Sequence, residues 1–337
     1  MSQRVTSRAS LAGLAGGQPH PGVAGGPKRK GSGQADGRPP RWRRDIKGLA
    51  FAYAMIAVPF GLLAVFGVYP FLEGVFRSFF RYNGGKVNVF IGLDNYVAVA
   101  TDPLFWHSVR NVLLLTSFGL VMQTVVPLLA AWMVHHFTSE RLKYAYRILV
   151  MVPAVVPTAV FYLVWKAVLD PTTGALNSGL RSIGLGVLAM NWLRDPSVAL
   201  IALMLVGLPW LNGLFSLLFL STLGTVPREQ YEAAQLDGAG RWMTFLHVEM
   251  PHLAGQIRIV AFLLLVAGIQ AYDSVYILTG GGPHDATMVP GVLLYKTGFD
   301  FGQFGMANAI GVSIMVLTLS ILGIGLLIGR LGRQKNG

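Results

Sequence analysis

The sequence contains no cysteine and few charged residues. Among its 337 residues, Asp, Glu, Lys and Arg together make up only 12%. The absence of cysteine excludes disulfides, thiolate chemistry and cysteine metal sites. The hydrophobic share is 53% and the mean hydropathy is +0.54, and one water-soluble core cannot enclose that much apolar surface. The composition therefore predicts a membrane-embedded protein.

Motifs of nucleotide and bond-cleaving chemistry are also absent. The sequence has no GxxxxGK[ST] loop, no HExxH and no GxSxG pattern. His135 and His136 are adjacent, so on a helix they point about 100° apart, and no third ligand lies near them in the sequence. We interpret them as a solvated interfacial pair rather than a metal site. We therefore expect no enzyme activity, no cofactor and no bound metal, and any ATP chemistry must belong to a partner.

The net charge of +12 comes from basic residues at the ends of apolar runs and in the first 47 residues. Residues 1–47 are rich in Gly, Pro, Lys and Arg and contain no apolar run, which predicts a disordered basic cytoplasmic tail and not a signal peptide. This pattern indicates membrane orientation rather than nucleic-acid binding. The tail is expected to contact membrane lipid through its basic clusters.

Six uncharged or nearly uncharged stretches are long enough to cross a bilayer, which needs about 20 helical residues. The sequence therefore predicts an all-α polytopic protein with six transmembrane helices in a domain of residues 48–335. The predicted spans are 49–72, 112–134, 148–165, 197–222, 259–278 and a segment within 301–329. Pro153 and Pro157 are expected to kink the third span, and Pro209 the fourth.

The distribution of Lys and Arg predicts the orientation. An even number of crossings places both termini on one side, and the flanks on that side carry more basic residues than the opposite loops. Because basic residues are retained in the cytoplasm, we expect both termini to be cytoplasmic in a multi-pass protein.

The inner loop at residues 226–253 differs from an ordinary tether. It carries four acids where inner loops favour bases, and Pro227 is suited to the first turn of a helix. Gly238 and Gly240 are expected to end that helix, a second short helix should run from Arg241 to about 247, and Pro251 should restart the chain. The loop therefore predicts a helix-turn-helix lever on the ends of two membrane helices.

The same loop resembles the EAA loop of binding-protein-dependent ABC importer permeases. The matching pattern is Glu232-Ala233-Ala234, three residues, Gly238, nine residues, then Val248-Glu249-Met250-Pro251. The segments IGLDNYVAVATDPLFWHSVRN and YDSVYILTGGGPHDAT resemble the sugar-permease branch, the latter ending in the turn from Thr279 to Pro283. The resemblance implies a type I importer permease fold in a bacterial cytoplasmic membrane.

The resemblance also implies partner subunits and a coupling helix. It implies a second homologous permease subunit, two copies of an ATP-binding subunit and an extracytoplasmic solute-binding protein. A cytoplasmic coupling helix would sit in a cleft of the ATP-binding subunit. The residues expected to carry this coupling are Glu232, Ala233, Ala234, Asp237, Gly238 and Pro251.

Polar groups within spans are costly and are the first candidates for solute contact. Trp210 and Asn212 in the fourth span, with Gln270 and Asp273 in the fifth, offer the aromatic face, amides and carboxylate that suit a sugar. The alternative for Trp210 is packing beside Pro209, and for Asp273 it is solvation or pairing with the second permease.

Two other functions stay open on the sequence. An ion-gradient-driven secondary transporter or channel would need a relay of intramembrane ionisable groups, and Asp273 is the one acid inside a predicted span. A non-transporting scaffold or sensor could bind an ATPase through the same loop. Solute-dependent ATPase activity would separate the scaffold from the importer.

Overall fold

The part of the chain that the structure describes is mostly helical. A computed structural model describes residues 41–85, 87–208 and 213–334. The chain divides into two units, Met1–Gly61 and Leu62–Gly337, and every contact discussed below lies within the second unit.

Fifteen α-helices are described along the chain. They are α1 (Arg41–Leu63), α2 (Tyr69–Arg77), α3 (Asp94–Thr101), α4 (Pro103–His135), α5 (Glu140–Val155), α6 (Thr158–Val168), α7 (Ala175–Ser182), α8 (Ala199–Leu205), α9 (Gly213–Leu223), α10 (Arg228–Leu236), α11 (Arg241–Thr244), α12 (Met250–Ile269), α13 (Asp273–Leu278), α14 (Pro290–Tyr295) and α15 (Phe304–Gln334). Wider π-turns occupy Ala64–Val68, Phe245–Glu249 and Lys296–Asp300, and a 3₁₀ turn lies at Gly186–Leu188. The short strands β1 (Phe80–Tyr82) and β2 (Asn88–Phe90) pair antiparallel, with Phe80 opposite Phe90.

The membrane spans differ from the prediction in number and continuity. Within the described residues, four helical runs are long and apolar enough to cross a bilayer: Gly48–Arg77, Pro103–His135, Arg241–Ile269 and Phe304–Gly325. A fifth span results if α5 and α6, which meet at 93°, are taken together. The predicted helical polytopic architecture is confirmed, whereas the predicted count of six transmembrane helices is not.

The third and fourth predicted spans are interrupted. Pro157 is the N-cap residue of α6 and follows the extended residue Val156, because a residue that precedes proline is disfavoured in helical conformation. The predicted kink is thus confirmed at Pro157, whereas Pro153 lies inside α5. The fourth segment consists of the short helices α8 and α9, and Pro209 lies between them, outside the described residues.

Helix α4 is the central element of the second unit. Asp102 caps its start by accepting a hydrogen bond from the Leu104 amide at 2.8 Å, and Pro103 occupies the first turn. The first half of α4 packs in an apolar cluster with α13, α14 and α15, which includes Val112, Val275 and Ile310. The second half packs in another cluster with α9 and α12, which includes residues such as Ala131, Phe219 and Val260. The two clusters leave the middle of α4 between them.

The turn from Thr279 to Pro283 is tied to its surroundings by side chains. The hydroxyls of Thr279 and Thr287 lie 2.7 Å apart, and Gly281 adopts a positive φ of 86°. The Asn111 amide of α4 donates to the Ala286 carbonyl at 3.0 Å. These bonds hold the segment after the fifth predicted span against α4.

Candidate functional site

The first half of the 226–253 loop forms helix α10, as predicted. Glu232, Ala233 and Asp237 are exposed, and Ala234 is half-buried. Glu232 accepts a hydrogen bond from Arg228 at 2.9 Å, an exposed pair that contributes little to stability. The helix therefore presents its acidic and small residues outward, where another surface can approach.

Gly238 ends α10 for a conformational reason. Its φ is +72°, and the amides of Gly238 and Ala239 donate to the carbonyls of Gln235 and Ala234 at 3.1 and 2.9 Å. This is a Schellman ending, in which the residue after the cap takes the left-handed conformation that glycine tolerates best. No atom lies within 4 Å of where a Cβ would stand. The predicted helix end is confirmed. The positive φ favours glycine here, whereas a side chain at this position would meet no neighbouring atom.

The second half of the loop differs from the prediction at Pro251. The predicted break there is wrong, because α11, the π-turn and α12 form one continuous run from Arg241 to Ile269. Proline lacks an amide hydrogen and clashes with the carbonyl four residues earlier, so it normally interrupts a helix. The wider π-turn at Phe245–Glu249 changes that spacing just before Pro251. The loop and the fifth span are therefore one element.

Two histidines at the end of α4 contact this loop. Tyr231 donates to the Glu249 carboxylate at 3.0 Å, and His136 Nε2 lies 3.6 Å from the same oxygen. Burial, together with the Glu249 carboxylate, raises the pKa of Tyr231, so the residue stays a protonated donor. His135 Nε2 lies 3.4 Å from the Tyr231 hydroxyl. The histidines interpreted as a solvated pair thus contact the loop, which their sequence positions did not indicate.

The loop also exposes large apolar side chains. Leu236 at the end of α10 is 89% exposed, and Trp242 and Met243 in α11 are 57% and 56% exposed. Trp242 packs edge-on against Trp132 of α4, with ring centroids 6.1 Å apart. Clustered apolar groups beside charged ones are typical of a protein docking surface.

A cavity of about 630 Å³ lies between the two apolar clusters, at the middle of α4. Its size lies in the range of small-molecule sites. Gln270 and Asp273 both line it, in and just after the break between α12 and α13. The fifth predicted span is therefore interrupted at residues 270–272, and Asp273 begins a separate helix. Trp210 and Asn212 lie outside the described residues.

Sequence reasoning missed several polar residues that line this cavity. They are Thr116 and Gln123 of α4, Tyr162 of α6, and Ser274 just after the helix break. Gln123 was recognisable as a strongly polar side chain inside an apolar run. Tyr162 and Thr116 carried no comparable signal, since both residue types occur often in membrane helices without function. The described part of the chain brings together no group of three metal-ligating side chains.

Comparisons with known proteins place the chain in a family. Residues 123–331 match the family described as binding-protein-dependent transport system inner membrane component. The chain is 31% identical to the probable ABC transporter permease protein YurN of Bacillus subtilis, over 79% of this chain and 92% of that protein. It is 31% identical to the diacetylchitobiose uptake system permease protein NgcF of Streptomyces coelicolor, over 88% and 86%.

The fold is similar to that of a solved bacterial transporter. A crystal structure of a bacterial ABC transporter involved in the import of the acidic polysaccharide alginate matches with a TM-score of 0.75. The match covers 86% of this chain and 99% of that chain at 21% identity, so it shows a common fold. With a family match across more than half of its length, the chain belongs to the inner membrane components of binding-protein-dependent transport systems, the permease subunits of ABC importers.

Proposed function

We propose that this chain forms one half of the translocation pathway of an ATP-driven importer and carries a sugar or similar polar solute by alternating access. The observation that carries the proposal is the path from loop to cavity. Helices α4 and α12 both contact the 226–253 loop at one end and line the cavity further along. A displacement of the loop would therefore reach the cavity through two rigid helices.

The coupling role rests on the shape and exposure of α10. Glu232 and Asp237 would contact the ATP-binding subunit, and the small Ala233 and Ala234 would let its surface approach closely. Gly238 sets the direction in which the chain leaves the helix, and Pro251 lies where the loop joins α12. When ATP binding closes a pair of ATPase subunits, the loop would move with them.

The solute would occupy the cavity beside the helix break. Gln270 and Asp273 offer an amide and a carboxylate there, and Tyr162 adds an aromatic ring. Broken helices suit such a role, because irregular backbone at membrane depth is tolerated where it lines a cavity. Trp210 and Asn212 are proposed contacts on sequence grounds. The names of related permeases refer to diacetylchitobiose, multiple sugars and trehalose or maltose, which favours a carbohydrate.

The assembly would contain a second homologous permease, two copies of an ATP-binding subunit and an extracytoplasmic solute-binding protein. Both termini would lie in the cytoplasm, with residues 1–47 as a basic tail outside the 48–335 domain. Deleting residues 1–40 should then leave uptake and membrane level unchanged.

The test begins with gentle detergent purification of the tagged chain from its native membrane, with the co-purifying proteins counted by mass spectrometry. We expect a second permease, two copies of a P-loop ATPase, and uptake that fails when ATP is depleted. Recovery of the chain alone, with uptake that collapses with an uncoupler, would instead identify an ion-gradient-driven carrier.

A variant then tests the coupling helix within the recovered transporter. Glu232→Ala should fold normally, because its exposed ion pair contributes at most about 1 kcal/mol. Uptake should fall while the complex still reaches the membrane. Glu140→Ala removes an equally simple pair, with Lys143, from the start of α5 and is the matched control. Full transport by the Glu232 variant would contradict the lever role.

A further inference from the structure

Glu249 is an acid buried within the second half of the loop. It ends the π-turn at Phe245–Glu249, and its exposed fraction is 0%. Removing a carboxylate from water is strongly unfavourable unless other groups stabilise it, so acids are rarely found fully buried without a partner. The position therefore demands a reason beyond packing.

One oxygen of Glu249 joins three separate segments. Oε1 accepts the Tyr231 hydroxyl of α10 at 3.0 Å and lies 3.6 Å from Nε2 of His136, the residue that caps the end of α4. Glu249 itself belongs to the run that continues as α12. The first half of the loop, the second half of the loop and the central helix thus meet at a single atom.

The surroundings strengthen this contact. The Trp132 ring lies 5.3 Å from the His136 ring and 5.2 Å from that of Phe245, measured between centroids. Aromatic walls keep water away, and a hydrogen bond to a charged group is stronger where the local dielectric is low. His252 and Gln230 form a second tie between the loop halves at 2.8 Å, but both side chains are exposed. Of these two ties between the loop halves, the one between Tyr231 and Glu249 is therefore the one that involves a fully buried side chain.

We propose that Glu249 is the positioning residue that holds α10 to α4 and α12, so that the coupling helix and the cavity-lining helices move as one body. The role in transport rests on the proposed function, whereas the mechanical tie does not. Without it, α10 would move on its own when pulled, and ATP hydrolysis would proceed without displacing the helices around the cavity.

The first test measures solute molecules taken up per ATP hydrolysed by the whole transporter in liposomes. Glu249→Ala should lower this ratio about tenfold while ATPase activity persists, the effect expected for one lost hydrogen bond to a charged group. Glu249→Gln should retain most of the ratio, because its amide oxygen still accepts from Tyr231. If the site required only the negative charge of Glu249, the neutral glutamine would not restore the ratio.

Tyr231→Phe provides an independent variant that removes one hydroxyl and leaves the ring packing intact. It should lower the ratio as Glu249→Ala does. The two changes combined should lower it by less than the product of the single effects, because each removes the hydrogen bond between Tyr231 and Glu249, and Tyr231→Phe additionally removes only the longer contact with His135. Glu140→Ala, an exposed acid at the start of α5, is the control and should leave the ratio unchanged. Normal coupling in both Glu249→Ala and Tyr231→Phe would overturn the coupling role and leave the proposed function standing.

The second test needs no partner subunit. Hydrogen–deuterium exchange of the purified chain should become faster across the α10 amides in Glu249→Ala and Tyr231→Phe, with the α12 amides unchanged. Unaltered exchange in α10 would overturn the tie itself. Faster exchange in α10 of the variants would support the tie even if uptake by the wild-type protein did not depend on ATP. That second result would contradict the proposed importer function alone.

Discussion

Gly268 lies where α4 and α12 approach each other beside the cavity, and its replacement by alanine should strain that contact. A Cβ at this position would stand 2.7 Å from Thr116 Cγ2, 2.8 Å from its Oγ1 and 3.0 Å from its Cβ. Ordinary contacts begin near 3.4 Å, and the short β-branched side chain of Thr116 has few rotamers in a helix. Either Thr116 leaves its preferred rotamer or the two helices move apart, and both responses cost stability.

The magnitude follows from two opposing effects. Overpacking of a closed contact costs up to about 3 kcal/mol, and alanine recovers about 1 kcal/mol in helix propensity over glycine. The net loss is about 2 kcal/mol, a factor of about 30 in the unfolding equilibrium constant. Titration with a denaturing detergent, followed by far-UV circular dichroism, measures it.

A second substitution and a control make this prediction specific. Thr116→Ala removes two of the three clashing atoms, and its hydroxyl has no hydrogen-bond partner among the described residues, so the double variant should recover at least about half of the loss. Gly255→Ala lies on the same helix with no atom within 4 Å of the new Cβ, and it should stabilise by up to about 1 kcal/mol. A Gly268→Ala protein as stable as the wild type, or one that Thr116→Ala does not rescue, would refute the close contact.

Three further predictions concern the turn after α10, the cavity and the loop after α6. Gly238→Ala should destabilise by about 1 kcal/mol and reduce uptake, whereas Gly238→Asn should retain both in the same assays, because asparagine tolerates positive φ. Gln270→Ala and Asp273→Asn should each raise the KM for uptake about tenfold through a lost solute hydrogen bond, with unchanged membrane level on immunoblots. Four hydrogen bonds from nearby threonines hold the pKa of the Asp170 carboxyl well below its usual range. Because the pKa of Asp170 is lower in the folded than in the unfolded chain, the ionised carboxylate stabilises the folded state at pH values above the unfolded pKa of about 3.9. This stabilisation is lost as the pH falls through the folded pKa. Asp170→Asn should therefore be less stable at pH 7, and its stability should change less in an acid titration followed by circular dichroism.

Local patterns in the sequence predicted those features that depend on neighbouring residues. Span length and hydropathy predicted the membrane class, and Pro157 predicted the bend in the third span. Gly238 predicted the end of α10, because helix termination is decided within a few residues. The same local reasoning was wrong at Pro251, where a π-turn keeps the helix continuous.

The candidate site was only partly predictable. Gln270 and Asp273 stood out as polar residues in an apolar run, and both line the cavity. Tyr162 and Thr116 did not, because their partners lie about a hundred or more residues away in the sequence. The contact of Glu249 with His136 was not predictable for the same reason, since the two residues lie 113 positions apart in the sequence.

Taken alone, the sequence determined that the chain belongs in a membrane and that α10 ends at Gly238, because hydrophobic length and helix-ending residues act locally. It also predicted that the first half of the 226–253 loop forms a helix. Only the tertiary structure decided that this loop contacts the end of α4 and that the cavity lies at the middle of the same helix. Those facts depend on which distant segments pack together, and no local pattern records that choice.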